Sequence, residues 1–449
     1  MNGRRVGILL FLVVVLGLSI GYFTYADKEV PVITISPDVT YTNGEDPFEI
    51  RVHDPGVGLS SVEIAVVQDQ EVVKSEQEEF EAGVQEWEID LALPDLNQGD
   101  FEIQVRAVDR SIVNWGRGNV SEASQEMIFD NIPPSVSMET FVHNLNQGGS
   151  GLIIFSLSKE VEKTGVSIGD YFFPAFEQSG NKYYCLFSFP YDKEPGEYTP
   201  RVIAKDRAGN EQLAGFNHHV NSRSFRQAEL NISDNFLRSQ MPQFESKFPE
   251  ENDPFELFLR VNRDLREDNR ARVHEIASQS SSEFYLDERP MMRKPNSSQM
   301  AGFADHRTYY YQGEKVDEQV HLGVDLASTA QAQVPAAHEG KVVFTGNLGI
   351  YGQTVILDHG LGLQTLYAHL SSIQVNQGQE VDRGQNIGRT GTTGLAVGDH
   401  LHFEVLISGT PVNPVEWWDS TWLEHNIFSK LRPDDKDQDS VAGGELKED

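Results

Sequence analysis

Four histidines and an aspartate between positions 321 and 402 have the types and spacing of a metal site. His321-Leu322-Gly323-Val324-Asp325 puts two ligand-capable side chains, three residues between them, in a glycine-containing stretch that can turn both towards one ion. His400-Leu401-His402-Phe403-Glu404-Val405 alternates, so as a strand it presents His400 and His402 on one face and Leu401 and Phe403 on the other. His369 stands apart, in Leu366-Tyr367-Ala368-His369-Leu370-Ser371. Two imidazoles on one face, joined by a histidine and a carboxylate from elsewhere, suit tetrahedral zinc with one position open. Zinc lowers the pKa of its water towards about 7 and polarises a carbonyl. A neighbouring imidazole then accepts and returns a proton near neutral pH. One histidine on a strand is more often structural than a ligand, but convergence of five residues reverses that weighting. Of the remaining histidines, His338 and His359 read as turn residues and His306 as structural or at a cleft rim. His53, His143, His218, His219, His274 and His425 show no motif.

Taken together, these residues resemble the lysostaphin-type (LytM-like) zinc metallopeptidases. The pattern of that family is His-x-x-x-Asp, a separate histidine and His-x-His, matched by His321…Asp325, His369 and His400-Leu401-His402. The resemblance extends to Gly378-Gln379-Glu380-Val381-Asp382-Arg383-Gly384-Gln385-Asn386-Ile387-Gly388 and to Gly391-Thr392-Thr393-Gly394. It covers 302–418, a minor part of the chain. It implies that His321, Asp325 and His402 hold Zn2+, with water or hydroxide in the fourth place. In that scheme His369 and His400 are catalytic without being ligands: they orient the water, move protons and hydrogen-bond the developing oxyanion. The implied activity is a zinc metalloendopeptidase that cuts peptide bonds in peptidoglycan cross-links. The alternative is a non-enzymatic regulator or scaffold acting on a wall amidase or on division or sporulation machinery, with cell-envelope proteins as partners. Relatives of that kind usually lack a ligand, and this sequence lacks none.

The elements that must position these residues read as β. Strands are expected over 341–344, 353–357, 364–368 and 401–407, giving a compact antiparallel sheet with zinc at the bottom of a groove lined by Tyr367 and Thr392. Upstream, short alternating runs such as Phe48-Glu49-Ile50-Arg51-Val52 and Phe101-Glu102-Ile103-Gln104-Val105 are separated by turn signals such as Asn43-Gly44 and Asp54-Pro55-Gly56. Val105-Arg106-Ala107-Val108-Asp109-Arg110 is echoed by Val202-Ile203-Ala204-Lys205-Asp206-Arg207, which points to a degenerate repeat of immunoglobulin-like modules. Asp253-Pro254 followed by Glu256 signals a helix start, with Phe255, Phe258, Leu259, Asn262 and Leu265 on one face.

The expected fold is therefore mainly β. Residues 1–29 form a cytoplasmic stub and transmembrane anchor, and 30–131 and 132–225 two immunoglobulin-like β-sandwiches. A helical segment and linker follows at 226–300, the antiparallel β peptidase domain at 301–420 and an acidic tail at 421–449. The anchor reading rests on Arg4 and Arg5 ahead of the uncharged run 6–25, long enough to cross a bilayer as one helix. Thr24-Tyr25-Ala26 is a poor signal-peptidase site, so the anchor is expected to stay. That places a single-pass chain in the inner (cytoplasmic) membrane, its bulk on the periplasmic or extracytoplasmic side, where peptidoglycan lies. The formal charge of -33, from 36 basic and 69 acidic residues, argues against nucleic acid as a partner. The single cysteine, Cys185, excludes an intrachain disulfide and reads as a buried structural thiol.

Overall fold

The computed structural model describes residues 3–432; the charged stretch 434–449 lies outside the described residues. The chain divides into two units, Met1–Pro133 with Lys205–Glu211, and Pro134–Ala204 with Gln212–Asp449.

The first unit opens with a helix, Gly3–Tyr25, of 23 residues. Its large apolar side chains from Ile8 to Tyr22 are exposed. Among the described residues no helix is long and apolar enough to cross a membrane, and the side chains described on this one run only from 7 to 22. Beyond it, period-two sequence builds two sheets. One orders Val32–Ser36, Phe48–His53 and Glu86–Leu91; the other orders Tyr41–Thr42, Val120–Phe129, Gly99–Asp109, Leu59–Gln68 and Glu71–Glu79. Phe48, Ile50 and Val52 are buried while Glu49, Arg51 and His53 between them are exposed. They meet Ile64, Val66, Ile103 and Val105 of the other sheet in one core.

In the second unit, Ser150–Leu157 is buried almost without interruption, so both of its faces are covered. Part of that cover comes from the other end of the chain. Trp417 Nε1 donates to Ser150 Oγ (3.2 Å) and Lys430 Nζ to the Leu152 carbonyl (2.9 Å). Residues 421–432, read from composition as the start of the tail, are instead largely helical, with Leu423 and Ile427 fully buried. Cys185 lies in the same core, and burial pushes its thiol up to about 12.

Glu416 sits at this junction, accepting from Asn146 Nδ2 (2.7 Å) and the Ser150 N–H (3.1 Å). Burial pushes its carboxyl up to about 7. A folded pKa above the unfolded value means stability that is full below about 4.5 and is lost as pH rises through about 7. The loss is up to about 3 kcal/mol. Thermal midpoints are therefore expected to fall between pH 5 and pH 8, and Glu416→Gln to flatten that slope.

The sheet that carries Asp325, His369 and His402 orders Ser298–Ala301, Val324–Ala327, Leu401–Ile407, Leu363–Ile373, Gln353–Asp358, Gly340–Asn347 and Glu380–Val381, while His321 ends the strand Glu314–His321 of a three-stranded sheet with Gln227–Ile232 and Asp305–Tyr311. Its register sets the site. Asp325 lies directly opposite His402 on one neighbouring strand, and Ala368 opposite His402 on the other. The segment 226–300 is more than a linker. Gln227–Ile232 pairs in parallel with Asp305–Tyr311, and the helices Pro254–Arg260 and Arg266–Ala277 flank a π-turn, Val261–Leu265. Asp253 caps the first of these by accepting from the Phe255 N–H.

Candidate metal centre

His321 Nε2, Asp325 Oδ1 and His402 Nδ1 form a triangle with sides of 3.0, 3.0 and 2.9 Å. The far side of each ring is already committed. His321 Nδ1–H donates to the Gly302 carbonyl (2.7 Å), and His402 Nε2–H to Glu404 Oε1 (2.7 Å). That fixes both tautomers and leaves two bare imidazole nitrogens facing each other and a carboxylate oxygen. Three lone pairs converge without repulsion only around a cation. Donors about 2.0–2.1 Å from a tetrahedral ion stand about 3.3 Å apart, close to the spacing seen. These three residues can therefore hold a metal ion.

The electrostatics agree. Burial opposes ionisation of Asp325, yet His321, with His400 and His402, holds its carboxyl well below the usual range. Burial alone would lower His402, but Asp325 and Glu404 push it up to about 9. His321 moves the other way, lowered chiefly by burial. The two carboxylates thus favour a positive charge at this place, whether a proton on His402 or a bound cation. Arg307 binds the second oxygen of Asp325 (3.1 Å), leaving Oδ1 to the triangle.

Two further imidazoles border the triangle without joining it. His369 lies 5.8 Å, ring to ring, from His402 and 4.8 Å from His400. Its Nδ1–H donates to the Thr393 carbonyl (2.8 Å), which leaves Nε2 as an acceptor. Burial, followed by the neighbouring histidines, pushes it down to about 3, so it is neutral at pH 7. Its backbone has φ +58°, a left-handed conformation uncommon outside glycine and typical of functional sites. His400 Nδ1–H donates to the Gly398 carbonyl (2.7 Å), and its Nε2 lies 3.5 Å from Asp325 Oδ1. All five residues singled out in the sequence thus meet at one place.

They line one side of a cavity of about 610 Å³. Leu230, Ile232, Phe236 and Phe258 line the same cavity, so the segment before the peptidase domain helps to shape the site. Tyr367 does not line this cavity. It is fully buried against Phe403, and its hydroxyl accepts from the Ala337 N–H. Thr392 is exposed and does not line it either; its neighbour Thr393 supplies the carbonyl that holds His369. His338 and His359 are buried and bonded to backbone carbonyls, Arg289 for the first and Glu339 for the second. His306 packs against Phe225.

Two glycines allow the close approaches. A methyl on Gly323 would strike the Phe403 carbonyl and the His402 ring, and one on Gly352 (φ +66°) would strike Thr393. Gly352→Ala is expected to keep the metal while shifting Thr393, and with it His369. The expected cost is about 10–10²-fold in kcat, measured alongside metal content.

Residues 319–414 match the family model described as Peptidase family M23, so the lysostaphin-type domain expected from the motifs is present. Over 96 residues the chain is 45% identical to the DD-carboxypeptidase/endopeptidase Mpg of Neisseria meningitidis serogroup B, covering 21% of this chain and 22% of that protein. It is 43% identical to the Peptidoglycan DD-endopeptidase ShyA of Vibrio cholerae serotype O1, over 21% and 22%. It is 36% identical to the Murein hydrolase activator NlpD of Salmonella dublin, over 21% and 25%. The chain therefore matches only a fifth to a quarter of the length of these relatives, and the likeness is one of this domain.

Proposed function

We propose that the protein is a zinc endopeptidase that hydrolyses peptide bonds in peptidoglycan cross-links. The observation that carries this reading is the donor triangle of His321, Asp325 and His402 with two spare imidazoles beside it. Two nitrogens and one carboxylate oxygen form a donor set suited to catalytic zinc, which keeps three protein ligands and one open position. Zinc bound there would supply a water of lowered pKa and a Lewis acid for the scissile carbonyl.

The chain's own groups do the rest. Glu404 and the Gly302 carbonyl hold the ligand rings in one tautomer, as outer-shell partners commonly do. Neutral His369, with Nε2 free to accept, orients the attacking water. His400, less enclosed, exchanges the proton and donates to the developing oxyanion. The apolar wall from Leu230 to Phe258 shields the bond being cut. The endopeptidase names of two relatives support a wall peptide as substrate.

The helix Gly3–Tyr25 belongs to the same reading as a single-pass anchor in the inner membrane, supported by the uncharged run behind Arg4 and Arg5. The two sandwiches then serve as immunoglobulin-like spacers on the periplasmic side. A regulatory role has one observation in its favour, the likeness to a murein hydrolase activator; the complete donor set weighs against it. The test is digestion of purified peptidoglycan by the zinc-loaded full chain, read by mass spectrometry. New peptide termini are expected, and an intact cross-linked product with zinc bound would favour the regulator.

A further inference from the structure

A second cluster of ligand-capable groups lies in the first unit, remote in sequence from the histidines. Asp27, Asp54 and Asp109 each bring a carboxylate oxygen within 4.8 Å of the others. Asp54 is fully buried and Asp109 nearly so. Among the described residues, no lysine or arginine pairs with any of the three. Asp54 Oδ2 accepts the Gly58 N–H, while Asp54 Oδ1 is buried and has no hydrogen-bond partner. A fully buried carboxylate with one unpartnered oxygen, beside a second buried and a half-buried carboxylate, stays ionised only at a cost unless a cation sits among them.

The chain contains its own comparison. Asp109 Oδ1 accepts from the Ser111 and Asn119 N–H groups and Oδ2 from Asn119 Nδ2, whose other contacts are the Asp27 and Glu29 carbonyls. Asp206 makes the same clasp: Oδ1 accepts from the Ala208 and Asn210 N–H groups and Oδ2 from Asn210 Nδ2, which also holds the Asp130 carbonyl. Among the described residues no carboxylate group of this kind surrounds Asp206. The clasp therefore forms without extra carboxylates; Asp27 accepts the Glu29 N–H at Oδ1 (2.9 Å) and the Val57 N–H at Oδ2 (3.1 Å), and Asp54 brings a carboxylate oxygen that the clasp does not use. Gly56 has no side chain where the Asp27 carboxylate rests against it.

We propose that Asp27, Asp54 and Asp109 form a calcium site that fastens the segment after the N-terminal helix to the first sandwich. All-oxygen donors of net charge −3 select a hard divalent cation, and ligands at about 2.3–2.6 Å from calcium span the observed separation. The calcium site stands or falls independently of the zinc peptidase reading.

The test is calorimetric titration of CaCl2 into the EGTA-treated, zinc-loaded full chain in detergent. One calcium per chain is expected, with Kd on the order of 10⁻⁴ M. Asp54→Asn and Asp27→Asn are each expected to weaken it by at least about tenfold, with unchanged circular dichroism. His402→Ala should leave it intact. Calcium at a hundred times Kd should also slow cleavage of the 26–31 segment by protease about hundredfold where cleavage follows the population of the opened form. No binding heat in the wild type, or equal binding by both aspartate variants, would overturn the site.

Discussion

His369→Ala is expected to retain its metal and lose about 10²–10⁴-fold in kcat, the span assigned to a positioned acid or base. The ring is outside the donor triangle, tied to the Thr393 carbonyl, and held neutral by burial. Nothing in the metal's own coordination depends on it. What disappears is an acceptor at a fixed place beside His400 and His402. Metal content and kcat measured on one preparation separate the two contributions. A His369→Ala protein that arrives without metal would mean that the ring is a ligand or a structural support, and not the group that orients the attacking water.

Asp325→Ala is expected to do the reverse, removing metal and turnover together. Two imidazoles would remain, one short of the three protein ligands a catalytic zinc keeps. Arg307 would also lose its partner, and breaking such a half-enclosed pair can cost up to about 3–5 kcal/mol. The diagnostic is the response to a chelator. Metal at a thousand times Kd stabilises the folded state by about 4 kcal/mol, so EDTA should lower the wild-type melting temperature by several degrees. In calcium-free buffer the variant should melt at one temperature with or without EDTA. A wild type indifferent to chelation would count against a tightly held ion.

The site was largely legible in the sequence because its ligands are set by local spacing. His321 and Asp325 flank one turn, and strand alternation carries both His402 and Glu404 to the same side. Glu404 was in plain view two residues after His402, yet its role needed the 2.7 Å contact to the ring. Arg307 and the carbonyls of Gly302 and Thr393 come from distant segments and have no local pattern. Tyr367 shows where periodicity misleads. It lies two residues before His369 and should share its face, but the left-handed backbone at His369 reverses the alternation there. The residues 421–432 were hidden differently: an acidic tail diluted Trp422, Leu423, Ile427 and Phe428, which pack into the core that holds Leu152 and Phe155. Which residues form the apolar lining of the cavity had no local signal, because a helical face and a short strand reveal what they bury, not what they face.

The central claim is that one metal held by His321, Asp325 and His402 is what makes the chain cut cell-wall peptide. The measurement that bears on it most directly is zinc stoichiometry and release of new peptide termini from purified peptidoglycan, taken on the same samples of the full chain and of His402→Ala. The account predicts about one zinc per chain with cleavage in the first, and neither in the second. Cleavage by His402→Ala at the wild-type rate, or by a wild-type chain free of metal, would contradict it.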